Sequence, residues 1–246
     1  MRGRSAIITG GAQGIGKGIA LALADAGLRV VILDRNRRAG RETAAEIEGA
    51  RFVEGDAADA GAVAAAVRAA SRGAALHAAV ANAGIFLHGP LARFTRRQWD
   101  RMLAVHLTGA FLLAKAARRA LAASHGALVL VASVRASQAE PDWDAYCAAK
   151  GGLVGLAQSL AVSLAPEIRV NCVSPGWIPT EEWQESARRK RPRLSRQDQA
   201  LQPIGRVGTP RDIGALVRYL VSPEAGFITG AEIRADGGLS RKLPST

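Results

Sequence analysis

The sequence has few of the features that mark membrane, secreted or metal-binding proteins. No stretch approaches the roughly 18 uninterrupted apolar residues that a transmembrane helix needs, and the first residues lack the pattern of a signal peptide. The chain contains two cysteines and four histidines, without the paired spacing of a disulfide framework or a metal site. We therefore expect a cytoplasmic protein that binds neither a metal nor a membrane.

Acidic side chains are also scarce relative to basic ones. The 21 Asp and Glu residues face 33 Lys and Arg residues, which gives a formal net charge of +12. Such a surplus suits anionic partners, but an Arg- and Ala-rich composition also results from coding bias. The basic run at 188–193 resembles a nucleic-acid patch, although runs of charge usually form a solvated helix face. We expect no nucleic-acid partner.

Apolar segments rich in β-branched residues alternate with longer Ala-rich segments of helical period along the chain. This alternation predicts an α/β fold with a parallel sheet and right-handed crossovers. Strands are expected near 5–9, 29–33, 51–53, 77–81, 127–132, 168–173 and 232–234, and helices near 15–26, 38–48, 60–71, 96–123, 145–164 and 210–221. No linker or internal repeat interrupts the series, so residues 1–246 are expected to form one domain.

One polar segment, residues 179–209, departs from this alternation. It lies between the sixth predicted strand and the last predicted helix, and it is rich in charged residues. A segment this long inside a compact domain is typical of a mobile lid rather than of the core. We therefore expect residues 179–209 to form a lid.

A glycine-rich turn follows the first predicted strand and opens a helix. It contains Gly10, Gln13, Gly14, Ile15 and Gly16. Glycines permit positive φ and let backbone N–H groups approach a pyrophosphate, which the partial positive charge of the helix N-terminus stabilises. The turn therefore predicts a dinucleotide-binding site.

The second predicted strand ends in Asp34, at the distance from the glycine turn where a carboxylate binds both hydroxyls of an adenosine ribose. A carboxylate there repels a 2′-phosphate, which favours NAD over NADP. The positive charges of Arg35, Arg37 and Arg38 would soften this exclusion. The alternative is that Asp34 merely caps the next helix.

Tyr146 and Lys150 stand four residues apart, and Ser133 lies thirteen residues before Tyr146. On a helix this spacing places the phenol and the ammonium group on one face, where the cation can lower the pKa of the phenol. Such a pair is suited to proton transfer, although a Tyr and a Lys at this spacing are more often a solvated surface contact.

Together with further motifs, these residues make the chain resemble the short-chain dehydrogenase/reductase family over nearly its whole length. The motifs are the glycine turn, Asp56 with Ala57, Asn82-Ala83-Gly84, Ser133 with Tyr146 and Lys150, the segment from Asn171 to Thr180 with Pro175, Gly176 and Ile178, and Asp236-Gly237-Gly238. The resemblance implies a single-domain Rossmann fold, a doubly wound parallel sheet of seven strands in the order 3-2-1-4-5-6-7 with helices on both faces. It also implies an NAD site formed by the glycine turn, Asp34, Arg35, Asp56, Ala57, Asn82, Gly84, Tyr146, Lys150, Pro175, Gly176, Ile178 and Thr180.

The resemblance further implies an NAD(H)-dependent interconversion of a secondary alcohol and a ketone on a small molecule such as a polyol or sugar. Tyr146 would act as general acid and base, Lys150 would stabilise the tyrosinate and contact the nicotinamide ribose, and Ser133 would bind the substrate oxygen. The family usually has Asn, which holds a relay water, where this chain has His106. His106 would either hold that water and titrate near neutral pH, or only fill the space.

Substrate contacts are expected at the mouth of the cleft above the nicotinamide. The candidates are Ser133, Tyr146, Ile85, Phe86, Val134, Arg135, Gln138, Trp143, Trp177 and Trp183. Tryptophans suit an apolar or sugar face, and Arg135 suits an anionic group. Each of these two roles has an alternative. Arg135 would instead be an exposed residue at a strand end, and Trp143 would instead be a packing residue.

Two other functions stay open at this point. A 3-oxoacyl thioester reductase acting on acyl carrier protein or CoA would suit the net charge, but such enzymes mostly use NADPH, which Asp34 disfavours. A non-catalytic nucleotide-sensing or nucleic-acid-binding module is the second alternative, because fold does not fix function.

The resemblance also implies a homo-oligomer, a tetramer or a dimer, whose subunits pair through the helices at 96–123 and 145–164.

Overall fold

The computed structural model describes residue 1 and residues 3–242 of the chain. Its strands are β1 (Arg4–Thr9), β2 (Arg29–Asp34), β3 (Arg51–Glu54), β4 (Ala75–Ala81), β5 (Ala127–Val131), β6 (Arg169–Pro175) and β7 (Glu232–Ala235). They form one sheet in the order β3-β2-β1-β4-β5-β6-β7, and all neighbouring pairs are parallel. The predicted fold class and strand order are confirmed.

Helices cover both faces of this sheet. They are α1 (Gly14–Asp25), α2 (Arg37–Glu46), α3 (Ala60–Ser71), α4 (Arg96–Leu103), α5 (Gly109–Ala123), α6 (Asp144–Ser163), α7 (Arg196–Ala200) and α8 (Pro210–Val221). Across the described part of the chain, none is both long and apolar enough to cross a membrane.

Each face of the sheet has its own apolar core. Residues of α3, α5 and α6, such as Leu113, pack on one face, and residues of α1, α2 and α8, such as Ile19 and Val217, pack on the other. The central strands are therefore buried on both faces, and β5 is buried at every position. Polar side chains therefore lie at the carboxyl ends of the strands, where the connecting loops leave the sheet.

The helix predicted over 96–123 is interrupted. A π-helical turn at Ala104–Thr108 separates α4 from α5, and the Gly109 N–H donates to the carbonyl oxygen of Ala104, five residues back. Such turns insert one extra residue into a helix and occur often at functional sites. His106 lies in the middle of this turn.

Residues 179–209 form the irregular polar segment that the sequence predicts. They contain a short 3₁₀ turn at Glu181–Trp183 and the five-residue helix α7. The remainder connects β6 to α8 along the edge of the carboxyl-end cleft described next.

Candidate active site

A cleft of about 540 Å³ opens at the carboxyl ends of the strands. It lies where β1 and β4 are neighbours and the strand order changes direction, the usual ligand position in open α/β sheets. Most sequence-predicted residues line it: Gly10, Gln13, Ile15, Gly16, Asp34, Arg35, Asp56, Ala57, Asn82, Gly84, His106, Ser133, Tyr146, Lys150, Pro175, Gly176 and Thr180. Eight candidates are not among the lining residues, namely Gly14, Val134, Arg135, Gln138, Trp143, Trp177, Ile178 and Trp183.

The glycine turn has the conformation that a bound phosphate requires. Gly10 and Gly14 have φ angles of 63° and 58°, a region that glycine adopts without strain. A Cβ on Gly16 would overlap the carbonyl oxygen of Gly10. Gln13, the N-cap of α1, makes no side-chain cap bond to any described residue, and its buried Oε1 likewise finds no partner among them. The turn and the uncapped helix end therefore fit a dinucleotide pyrophosphate.

Asp34 ends β2 at the edge of the cleft. Its carboxylate accepts hydrogen bonds from the backbone N–H groups of Ala12 at 3.2 Å and Asn36 at 2.9 Å. Burial raises the pKa of Asp34, and these backbone donors partly offset the rise. The cap of α2 is Asn36, whose side chain accepts from the Ala39 N–H at 3.1 Å. The alternative that Asp34 caps this helix is therefore wrong.

Asp56 and Ala57 line the cleft after β3. The carboxylate of Asp56 accepts from the Ala58 N–H at 2.9 Å and forms an ion pair with Arg101 of α4. Although burial acts in the opposite direction, these donors hold the pKa of Asp56 below its ordinary value. The carboxylate is thus ionised and held in place at the end of the cleft that Asp34 also borders.

Asn82 joins the end of β4 to the glycine turn. Its Nδ2 donates to the carbonyl oxygens of Thr9 at 3.2 Å and Gly10 at 2.9 Å. The Asn82 N–H in turn donates to Thr9 Oγ1 at 3.2 Å. These bonds tie the two central strands together directly beneath the cleft.

Ser133, Tyr146 and Lys150 meet at one side of the cleft. Ser133 follows β5, while Tyr146 and Lys150 lie one turn apart on α6, as their spacing predicts. The buried ammonium group of Lys150 donates to the carbonyl oxygen of Val131 at 2.9 Å and lies 5.6 Å from the centroid of the Tyr146 ring. The N–H of Arg135 donates to Ser133 Oγ at 3.1 Å. This bond leaves the Ser133 hydroxyl proton available to another acceptor.

The expectation of a lowered Tyr146 pKa is wrong for the net shift, which is upward. Burial raises the pKa of Tyr146 above its ordinary value, and the nearby Ser133 hydroxyl offsets only part of the rise. Burial also lowers the pKa of Lys150, to about 8. Burial is thus the largest cause at both groups and drives each toward its neutral form.

The ring of His106 is buried beside Tyr146, with the ring centroids 5.6 Å apart. His106 Nε2 lies 3.1 Å from the backbone nitrogen and 2.8 Å from the carbonyl oxygen of Ile85, so either neutral tautomer keeps a hydrogen bond to Ile85. Burial, reinforced by the charge of Lys150, lowers the pKa of His106 to about 3. The expectation that His106 titrates near neutral pH is therefore wrong.

The segment after β6 closes the opposite side of the cleft. Thr180 approaches the glycine turn so closely that a Cβ on Gly14 would lie 3.3 Å from Thr180 Cγ2. The side chain of Ile178 packs against the core that α1 and α8 form with the sheet. Its expected contact with the cofactor stays a prediction.

The expected anion site at Arg135 is occupied by a carboxylate of the chain itself. The guanidinium of Arg135 forms an ion pair with Glu140 and lies over the ring of Trp143, 5.1 Å from its centroid. The pair leaves this corner without net charge, so Arg135 is not an isolated cation facing the cleft.

Beside the rings of Tyr146 and His106, the cleft wall also contains the aromatic side chain of Phe86. Trp143 lies behind it and packs edge-on against Phe86, with centroids 4.5 Å apart, and against Tyr146 at 5.9 Å. Trp177 is exposed, and its carbonyl oxygen accepts from the side chain of Gln202 at 3.0 Å. The packing interpretation of Trp143 therefore holds, and Trp177 lies outside the cleft.

Several residues that line the cleft were not predicted from the sequence. They are Leu33, Asn36, Gly55, Ala83, Arg101, Val105, Val131, Ala132 and Arg188. Most adjoin predicted positions in the chain. Arg101 precedes Val105 by one helical turn, which is a weak signal for a shared face. Arg188 belongs to the basic run, and nothing in the sequence distinguishes it from its neighbours.

Comparison with known proteins agrees with this geometry. A family model described as enoyl-(acyl carrier protein) reductase matches residues 10–240. A 2-(S)-hydroxypropyl-CoM dehydrogenase of Xanthobacter autotrophicus is 36% identical over 242 residues, which cover 95% of each chain. The chain belongs to the short-chain dehydrogenase/reductase family. Another relative is an L-fucose dehydrogenase of Oryctolagus cuniculus, 36% identical over 96% of this chain and 84% of that protein.

A solved structure of the same architecture is that of an SCOR enzyme from Clostridium thermocellum. It is 35% identical, covers 98% of this chain and 95% of its own, and superposes with a TM-score of 0.89. Short-chain dehydrogenases/reductases are oxidoreductases that use a nicotinamide cofactor, and this protein is one of them. The predicted oxidoreductase function is confirmed.

Proposed function

We propose that the protein interconverts a secondary alcohol and a ketone on a neutral sugar or polyol, with NAD(H) as its cofactor. The observation that carries the proposal is the convergence of Ser133, Tyr146 and Lys150 on the cleft that also contains Asp34 and the glycine turn. When bound there, the nicotinamide ring supplies or accepts the hydride.

Tyr146 is assigned the proton transfer. A phenol with a raised pKa is protonated at neutral pH, so Tyr146 can donate its proton to the oxygen of a ketone. In the reverse direction Lys150, which has a pKa of about 8 and is mostly charged at neutral pH, stabilises the tyrosinate. Ser133 directs its free hydroxyl proton to the same substrate oxygen and stabilises the charge that develops on it.

Asp34 supports the preference for NAD. Each of its carboxylate oxygens accepts one backbone N–H and retains a lone pair for a ribose hydroxyl. A 2′-phosphate in that position would meet this buried carboxylate. Arg35 lines the same wall and moderates the repulsion without removing it.

The surroundings of Tyr146 support a neutral substrate. Phe86 presents an aromatic ring beside Tyr146, and the Arg135–Glu140 pair adds polar atoms without net charge. Aromatic rings beside hydrogen-bonding groups suit the face of a sugar or polyol. That L-fucose dehydrogenase is among the relatives is consistent with this class of substrate.

The remaining parts of the proposal concern the segment at 179–209, assembly and location. We assign residues 179–209 as a lid, since Thr180 and Arg188 line the cleft. The exposed side chains of Phe111 on α5 and Val162 on α6 support a tetramer or dimer paired through these helices. The free thiols of Cys147 and Cys172 suit the reducing environment of the cytoplasm.

The proposal is tested by steady-state rates of the purified protein. Polyols, aldoses, secondary alcohols and hydroxy acids are offered with NAD and with NADP, and 3-oxoacyl thioesters with the reduced cofactors. We expect NAD to be favoured at least roughly tenfold in kcat/KM, and neutral polyhydroxy substrates to be favoured over acids. A strong preference for NADP, or turnover confined to thioesters, would contradict it.

A further inference from the structure

Ser186 and Arg189 of the 179–209 segment contact α2 beside the cleft. Glu42 of α2 accepts from the N–H of Ser186 at 2.7 Å and from its hydroxyl at 2.7 Å. Arg38 donates to Ser186 Oγ at 3.1 Å. The bonds from Ser186 and Arg38 lower the pKa of Glu42 to about 2, so the carboxylate is ionised throughout the physiological range.

Two further contacts lie just beyond Arg188 in the chain. Arg189 forms an ion pair with Glu46, also on α2, at 3.7 Å. The N–H of Lys190 donates to the carbonyl oxygen of Glu181 at 3.1 Å. The backbone is therefore anchored on both sides of Arg188, and the position of this side chain over the cleft follows from these anchors.

Arg188 of the basic run lines the cleft, and its charge is only loosely paired. Its side chain is 73% exposed, and Asp34 and Arg35 line the same cleft. Its ion pair with Glu185 is loose, at 3.8 Å, whereas Arg38 is held by Glu42 at 3.1 Å. A guanidinium in this state can exchange its loose partner for shorter, bidentate bonds to phosphate oxygens.

The path of the segment indicates which phosphate Arg188 meets. The segment begins at Thr180, against Gly14 at the uncapped N-terminus of α1, and is then fastened by Ser186 to α2. Arg188 follows this attachment by two residues, and its side chain lines the cleft. We propose that Arg188 binds the pyrophosphate of the dinucleotide from the side opposite the α1 N-terminus. This inference rests on the proposed function, because it takes the cleft to hold a dinucleotide.

The experiment measures equilibrium binding by titration calorimetry on the full-length protein. The ligands are adenosine, AMP, ADP, 2′,5′-ADP and NAD, and the variants are Arg188→Gln and Arg191→Gln. Arg191 is an exposed arginine of the same segment, so its variant controls for the loss of one charge. We expect Arg188→Gln to weaken ADP and NAD roughly tenfold, to leave adenosine within about twofold, and Arg191→Gln to leave all five unchanged.

Other outcomes overturn the inference in distinguishable ways. Equal affinities of wild type and Arg188→Gln for ADP would show that Arg188 binds no phosphate of the cofactor. A loss confined to 2′,5′-ADP would move the contact to a 2′-phosphate and contradict the assignment to the pyrophosphate. If the wild type bound neither ADP nor NAD, the proposed function itself would fail with it.

The positioning role of Glu42 is tested by a double-mutant cycle. Glu42→Ala removes the acceptor that holds Ser186, so the affinity for ADP should fall about threefold in the wild-type background while the affinity for adenosine stays constant. In the Arg188→Gln background the same change should have no effect on ADP. Equal losses in the two backgrounds would show that Glu42 does not act through Arg188.

Discussion

The ring of His106 lies directly against Gly84, so that a Cβ on Gly84 would come 2.6 Å from His106 Cε1 and 3.2 Å from Nδ1. The first distance is shorter than side-chain carbons tolerate. The π-helical turn therefore packs closely against the loop after β4 at the cleft. His106 belongs to the turn, and Gly84 belongs to the loop.

Gly84→Ala should displace the His106 ring and break its hydrogen bond to Ile85. We expect a loss of about 1–3 kcal/mol in the free energy of unfolding, measured by urea denaturation. In a His106→Ala background the obstacle is absent, and the same change should cost much less. An equal cost in both backgrounds would mean that the imidazole is not what excludes a methyl group.

Tyr146→Phe should reduce kcat by at least about 10³-fold, because it removes the proton donor while it keeps the ring in place. Binding of NAD, measured by calorimetry, should stay within about twofold. Cys147→Ser is the matched control on the same helix and should leave kcat nearly unchanged. Appreciable turnover by Tyr146→Phe would contradict the assignment of Tyr146.

His106→Asn tests whether the imidazole does more than fill space. Because the pKa of His106 is about 3, the ring is neutral between pH 5 and 9 and contributes no ionisation there. The Asn variant should therefore keep the apparent pKa values of the pH–rate profile, with kcat equal to or above that of the wild type. His106→Leu, which fills the space without a hydrogen-bonding atom, should lose roughly tenfold in kcat. If one arm of the pH–rate profile moved to another pH in the Asn variant, the result would show that His106 titrates.

The buried ammonium of Lys150 predicts a pH-dependent contribution to stability. Its pKa is about 8 in the folded protein, against an ordinary value of 10.5. Between these values the unfolded chain binds more protons than the folded one, so this contribution increases with pH there and is constant well below pH 8. Lys150→Met removes it.

The measurement for Lys150 is the free energy of unfolding of wild type and Lys150→Met at a series of pH values. The wild-type value minus the variant value should grow by about 2 kcal/mol between pH 8 and pH 10. A difference that stays constant over this range would show that the folded-state pKa of Lys150 is close to its ordinary value.

Glu140→Gln should free the guanidinium of Arg135 from its carboxylate partner. An unmasked cation two residues from Ser133 would attract anionic substrates, so kcat/KM for hydroxy acids should rise at least about fivefold relative to neutral polyols. In the double variant with Arg135→Gln this gain should disappear. If the ratio does not move in the single variant, Arg135 does not reach the substrate.

The parts of the site that the sequence predicts well depend on local spacing. Tyr146 and Lys150 share a helix, and the glycine turn with Asp34 lies within one βαβ unit, so their placement follows from short-range rules. Arg188 could not be predicted, because the contact that positions it joins Ser186 to Glu42 across 144 residues. The pKa shifts of His106 and Tyr146 could not be predicted for a related reason. Burial causes both shifts, and burial depends on the assembled fold.

The π-helical turn at Ala104–Thr108 also sets a limit on how this region can vary. One extra residue rotates everything that follows by about 100° relative to a regular helix, since each residue of an α-helix takes about that share of a turn. Deleting one residue here would restore an uninterrupted helix, but it would swing His106 away from Ile85 or turn the buried side of α5 off the sheet. The length of the chain between Leu103 and Gly109 is thus constrained independently of which side chains it carries.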